Sequence, residues 1–353
     1  MKALRFGRSA AVLSVAALAL TACGGNGGSS DTPAEGNGSA PAEVAGTLVG
    51  GGASSQEAGM TAWTNGVTEV HPDLTVTYDP VGSGSGREGF LAGQYSFAGS
   101  DAAMDEEEIS QAESVCGPEG VFHVPAYISP VAVAFNLEGV DQVNMDADTI
   151  AKVFTGEITT WNDPVIAGQN PDTELPDTKI TVVHRADDSG TTDNFTDYLS
   201  AAAPDAWTYG SIEIWPEDIE GDDAGKGTSG VVDTVTRNQG TIGYADASQA
   251  GGLGQAKVGV GEDFVAPEAA AASQILAVSP RAEGRGENSM AVDLDFKTQE
   301  AGTYPIVLTS YLMACEKYDD ANTAALVKGY LSYVLSDEGQ ALAEAEAGSA
   351  PLA

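Results

Sequence analysis

Histidine, cysteine and positive charge are scarce in this 353-residue chain, and each scarcity closes off a class of function. The three histidines, His71, His123 and His184, stand far apart, and no metal-ligand spacing appears. The acidic runs at 105–108 and 220–223 lack the spacing of a calcium loop and read as solvated faces. No metal and no cofactor is therefore expected. Lysine and arginine total 15 against 52 aspartates and glutamates, for a formal charge of −37. So acidic a chain excludes nucleic acid as a partner and does not reach anionic lipid through its charge. Solenoid-period repeats and coiled-coil heptads are missing as well.

A long apolar run is also lacking, and the short one that exists is informative. Lys2, Arg5 and Arg8 precede an uncharged stretch, 9–22, rich in Ala, Leu and Val. A membrane-spanning helix needs roughly 20 apolar residues, so this stretch fits a secretory leader better. It ends Leu20-Thr21-Ala22-Cys23, which resembles the lipobox of bacterial lipoproteins. Residues 1–22 are expected to be a signal peptide. Cys23 is expected to carry lipid (a diacylglycerol thioether, with palmitate-type acyl chains). The protein is then exported and anchored to the outer face of the cytoplasmic membrane. Residues 23–46 hold Gly, Ser, Asn, Ala, Pro and Glu with almost no apolar bulk, the composition of a flexible tether. The leader contains three bases and no acids, so the chain from Cys23 onward carries roughly −40.

About 300 residues follow, enough for two lobes of ordinary size. Short β-type runs alternate with helical patterns, the signature of α/β architecture with largely parallel sheets. Four strand ends share one design. Each strand runs into a Gly/Ser/Thr loop or an acidic turn, and a helix follows. The loops are Ala53-Ser54-Ser55, Gly82-Ser83-Gly84-Ser85-Gly86 and Asp188-Ser189-Gly190-Thr191-Thr192, and the turn is Ser100-Asp101. A helix start offers unpaired N–H groups and partial positive charge to an anion. Glycine lets the backbone approach, and hydroxyls add donors. Taken singly, a loop of this kind is more often a plain turn or a helix cap, and Asp101 has an alternative reading as the N-cap of the helix over 105–115.

Together these segments resemble the phosphate-specific periplasmic binding proteins (PstS family) of bacterial ABC importers. The resemblance rests on Leu48-Val49-Gly50-Gly51-Gly52-Ala53-Ser54-Ser55, on Tyr78-Asp79-Pro80-Val81-Gly82-Ser83-Gly84-Ser85-Gly86, and on Phe97-Ala98-Gly99-Ser100-Asp101. The most telling string is Arg185-Ala186-Asp187-Asp188-Ser189-Gly190-Thr191. A further likeness from Phe154 to Asp163 is read as packing. The resemblance spans residues 47–335 and implies a type II two-lobed fold with the ligand in the interlobe cleft. Lobe 1 is expected over 47–128 plus 310–353 and lobe 2 over 129–309.

The family further implies that Ser54, Ser55, Ser83, Ser189, Gly190 and Thr191 donate to inorganic phosphate. Arg185 supplies the charged bond, steadied by Asp187, and Asp101 accepts the proton that phosphate still carries. Ser54 and Ser55 depart from the family's usual Thr and aromatic residue, so only the backbone N–H of Ser55 is expected to matter. Cys116 and Cys315 both fall in lobe 1 so drawn. An exported protein permits oxidation, so they are expected to pair, although spacing alone leaves two separate buried thiols open. The partners implied are phosphate and an ABC permease, with the chain itself a monomer and not an enzyme.

Two rival readings have weaker support. A secreted phosphatase needs a nucleophile and base, but Ser83 and Ser85 do not satisfy G-x-S-x-G, and Arg185 disfavours its neighbour His184 as a base. A sulfate or molybdate binder is opposed by Asp101. Gly84-Ser85-Gly86-Arg87-Glu88-Gly89 matches a dinucleotide fingerprint, but its next acid, Asp101, lies too close. Gly225-Lys226-Gly227 lacks the spacing of a P-loop.

Overall fold

The computed structural model describes residues 44–283 and 289–350. The leader, Cys23 and most of the tether lie outside those residues. The last residues of the expected tether lie inside and belong to the fold. Val44 packs on the core and Gly46 opens the first strand, because an apolar side chain this close to a helix is worth burying.

The chain begins β1 (Gly46–Gly52), α1 (Glu57–Val70), β2 (Leu74–Asp79), α2 (Ser83–Leu91), β3 (Phe97–Ser100), α3 (Glu106–Cys116) and β4 (Val121–Phe135). Next come β5 (Gln142–Met145), α4 (Ala147–Phe154), α5 (Pro164–Gln169), β6 (Thr181–Arg185), α6 (Gly190–Ala202), β7 (Asp223–Gly225), α7 (Gly227–Arg237) and β8 (Thr241–Asp246). The remainder is β9 (Gly254–Val260), β10 (Asp263–Val265), α8 (Ala269–Val278), β11 (Val307–Cys315), α9 (Ala321–Val334) and α10 (Asp337–Ala347).

Strand order runs β2-β1-β3-β11-β4-β8-β6-β7, with β9, β5 and β10 branching from β4. Strand β4 is the shared member. It pairs with β11 as far as Pro130, then with β8 from Val131 onward. One chain thus stitches two curled sheets, each flanked by helices. The sheets are mixed rather than largely parallel. β1 is parallel to β2 and β3, and β6 to β7 and β8, but β4 and β11 run antiparallel to every strand they touch. The β-α alternation fixes the parallel part, whereas β4 and β11 carry the chain between sheets and must oppose their neighbours.

Strand β4 runs through Pro125. In the fold Pro125 sits beside a register shift at Ser310/Tyr311, where a missing donor does no harm. Helix α2 begins at Ser83, with Gly84 and Gly86 inside its first turns. Glycine weakens helix propensity and hides that start, but close packing overrides it.

Cores form where the elements face one another. Trp63 and Val67 of α1 and Tyr330 of α9 bury against β1 and β3 of the first sheet. Phe154, Ile158 and Trp161 are buried in the second, the packing role expected for that segment. Cys116 at the end of α3 and Cys315 at the end of β11 are joined by a disulfide. No helix among the described residues is long and apolar enough to cross a membrane.

Candidate functional site

Three strands of the first sheet deliver their carboxyl ends to one place, the position where sheets of this kind bind ligands. β1 runs into Ala53-Ser54-Ser55, β2 leads to Ser83 at the start of α2, and β3 ends at Ser100-Asp101. Ser54, Ser55, Ser83 and Asp101 are all buried, at most 4% exposed. The Asp101 carboxylate is the hub. Ser55 Oγ donates to its Oδ1 and Oδ2 at 2.7 and 2.8 Å, and Thr191 Oγ1 to Oδ2 at 2.9 Å. Ser310 Oγ donates to Oδ1, and Gln56 Nε2 donates in turn to Ser310. The Asp101 N–H donates to Ser83 Oγ at 3.1 Å. Asp101 does not cap the next helix. Asp105 does so, in a reciprocal capping box with Glu108.

The opposite wall comes from the second sheet. Arg185 ends β6 and is 3% exposed. Its Nε donates to Asp187 Oδ1 at 2.8 Å and its Nη2 to Oδ2, a two-pronged clasp. Gly227 N–H donates to the same carboxylate at 2.9 Å. Burial pushes Asp187 upward, but the guanidinium and the backbone donor outweigh it and hold the group below the ordinary aspartate range. Ser189 caps α6 by accepting from the Thr192 N–H at 3.2 Å, so Gly190 and Thr191 form the first turn.

The walls touch. Asn194 Nδ2 donates to the Asp101 carbonyl at 2.8 Å. A Cβ at Gly190 would lie 2.7 Å from Ser83 Oγ, 2.8 Å from Asp101 Cβ and 2.9 Å from Ala102 N. Real Cβ atoms do not approach that closely, so only glycine lets α6 meet the first wall.

The residues singled out in the sequence therefore share one buried cluster, but sequence reasoning missed several neighbours. Thr228, at the start of α7, donates its N–H to Ser54 Oγ at 3.0 Å. The Gly225-Lys226-Gly227 turn set aside as a failed P-loop thus adjoins the cluster. Ser310 gives no local signal beyond the irregularity in β11. Tyr244 OH accepts the Arg185 N–H at 3.2 Å, and Gln249 Nε2 donates to the Ser54 carbonyl at 3.1 Å. Ser55 also does more than expected, since its hydroxyl braces Asp101.

The cluster holds one buried cation paired with Asp187, one further buried carboxylate, Asp101, and an excess of hydroxyl and N–H donors. That set suits a tetrahedral oxyanion that still carries a proton. It does not suit hydrolysis. Ser54, Ser55, Ser83 and Ser189 are engaged with Thr228, Asp101 and Thr192, and among the described residues none of them bonds a histidine. His184 stacks on Trp215 at 5.1 Å and meets Asp222 at 3.4 Å.

Two sheets sharing one strand, with loops from both converging on a buried polar cluster, define a solute-binding protein of the periplasmic type. The PBP superfamily domain matches residues 37–338. The chain is 36% identical over 343 residues to phosphate-binding protein PstS3 of Mycobacterium bovis (strain BCG / Pasteur 1173P2), covering 94% of this chain and 90% of that one. It is 34% identical over 362 residues to PstS2 of the same strain, covering 100% and 96%. A solved high-affinity periplasmic phosphate-binding protein, PfluDING bound with phosphate, superposes with a TM-score of 0.72 at 26% identity, covering 87% and 90%. The chain belongs to the PBP superfamily and, within it, to the PstS phosphate-binding proteins. That is a family of binding proteins rather than enzymes.

Proposed function

We propose that this protein binds inorganic phosphate outside the cytoplasm and delivers it to the permease of an ABC importer. The observation that carries the reading is the meeting of Asp101 and Arg185 in one buried cluster of hydroxyls and N–H groups. Arg185, held by Asp187, gives the charged bond. Ser54, Ser55, Ser83, Ser189, Gly190 and Thr191 donate from hydroxyls or backbone. Asp101 accepts the phosphate proton. Sulfate has no proton at neutral pH and would set lone pairs against a carboxylate, so discrimination of ~10⁴ is attainable.

The two lobes, 47–128 plus 310–353 and 129–309, close over the ligand about a hinge of two crossings. Support comes from β4, which changes partners between Pro130 and Val131, and from β11, which begins at Val307. Cys23 carries the lipid anchor, a reading that rests on the Leu20-Thr21-Ala22-Cys23 string, and the protein works as a monomer.

Calorimetry of the domain against phosphate, sulfate, molybdate and a phosphate ester tests this. Tight phosphate binding with sulfate weaker by ~10⁴ is expected. Tighter binding of sulfate or molybdate, or hydrolysis of the ester, would replace this reading with one of its rivals.

A further inference from the structure

The walls meet at a second place, outside the ligand cluster. Arg87 of α2 is 6% exposed. Its Nη1 and Nη2 donate to Glu213 Oε1 and Oε2 at 2.9 and 2.6 Å, a bidentate fork. Its Nε donates to Glu108 Oε1 at 2.8 Å and its Nη1 also to Ser100 Oγ at 3.1 Å. Glu108 and Ser100 belong to the first wall and Glu213 follows α6 on the second, so one guanidinium bridges them. Beside it, Asp188 presses on the backbone of α2. A Cβ at Gly84 would lie 2.2 Å from Asp188 Cγ. Asp188 Oδ1 is buried and has no hydrogen-bond partner among the described residues. The charged groups around this point are Arg87 and Glu88 from α2, Glu108 from α3, Asp193 and Asp197 from α6, and Glu213. One cation serves a surplus of carboxylates.

We propose that Arg87, Glu213 and Asp188 form a clamp between the walls that sets phosphate affinity from outside the ligand shell. The proposal rests on the reading that phosphate lies between the Asp101 and Arg185 walls. The fork exists only while the walls meet, so it acts on reopening and not on encounter. Burial first, then the Glu213 carboxylate, pushes Asp188 up to about 7. Opening hydrates this group and returns it toward the ordinary range. Closure then takes up a proton, so affinity falls as pH rises from the ordinary aspartate range to about 7 and levels off above it.

Stopped-flow and calorimetry with inorganic phosphate on the full chain test the clamp, with Arg185→Ala as control. Arg87→Met and Glu213→Gln should each raise the dissociation rate about 10- to 100-fold and leave association within about threefold. The double variant should be no weaker than the weaker single, because one interaction is lost in all three. Arg87→Lys should recover part of the loss, since it keeps the charge without the fork. Asp188→Asn should flatten the pH dependence of affinity below about 7 relative to the parent, the ionisation of phosphate itself being common to both.

Parental dissociation rates in Arg87→Met and Glu213→Gln, with binding weakened at least ~10-fold in Arg185→Ala, would overturn the clamp and leave the site intact. A lowered melting temperature with an unchanged dissociation rate would do the same, marking Arg87 as a prop of the fold alone. Parental binding in Arg185→Ala would remove the site reading, and the clamp with it.

Discussion

The wall built on β1, β2 and β3 presents serine hydroxyls around a carboxylate, and the wall built on β6 and α6 presents a helix start beside a guanidinium. Both use one device, a strand running into a helix N-terminus. They differ in the sign of the buried charge and in how it is answered. Arg185 is paired with Asp187, whereas Asp101 is braced by the hydroxyls of Ser55, Thr191 and Ser310. Hydroxyl bracing orients a carboxylate without cancelling its charge. The first wall therefore suits reading the ligand's proton, and the second suits supplying attraction. On the proposed reading, affinity and selectivity lie on opposite sides of the ligand.

Breaking the second wall should cost most. Arg185→Ala removes a charged donor and strands Asp187, a loss of about 3–5 kcal/mol or ~10²–10⁴-fold in phosphate affinity by calorimetry. A loss under tenfold would mean that the hydroxyls and dipoles carry the affinity. Gly190→Ala attacks the junction of the walls. The added methyl meets Ser83, Asp101 and Ala102, so overpacking of about 1–3 kcal/mol should weaken binding while the unliganded protein melts normally. Parental affinity in that variant would show that the walls need not come so near. Ser55→Ala should cost less, about 0.5–1.5 kcal/mol, because its backbone N–H survives and two other hydroxyls still hold Asp101. A loss equal to that of Arg185→Ala would deny the backbone donor its role.

The smallest effect separates both walls from the rest of the surface. A chain of formal charge −37 repels phosphate at long range, so affinity must come from contact groups. Inert salt screens the repulsion beyond ~8 Å at physiological ionic strength and barely reaches the buried donors. The association rate should rise a few-fold with sodium chloride, and dissociation should change little. An association rate that falls with salt would reveal a local positive funnel.

Much of this contrast is legible in the sequence because its parts are local. Ala53-Ser54-Ser55, Gly82-Ser83, Ser100-Asp101 and Arg185-Ala186-Asp187-Asp188-Ser189-Gly190-Thr191 each declare a strand end and a helix start within a few residues. The unread parts act across the chain. Ser310 reaches Asp101 from 209 residues away, and Arg87 reaches Glu213 from 126, with no periodicity or motif to announce either pair. Ser310 also lies at the register shift of β11, a device that re-aims a side chain without leaving a residue pattern. Strand β4 hides its first half behind Pro125, and α8, nearly all apolar, has no polar face to mark its period.

The division between the walls is tested most directly by the sulfate-to-phosphate affinity ratio in Asp101→Asn. The amide offers a donor where the carboxylate only accepted, and it carries no charge. Sulfate should gain on phosphate by ~10²-fold or more, while Arg185→Ala should weaken both anions nearly alike. An unchanged ratio in Asp101→Asn would contradict the account, because the first wall would then not be reading the proton.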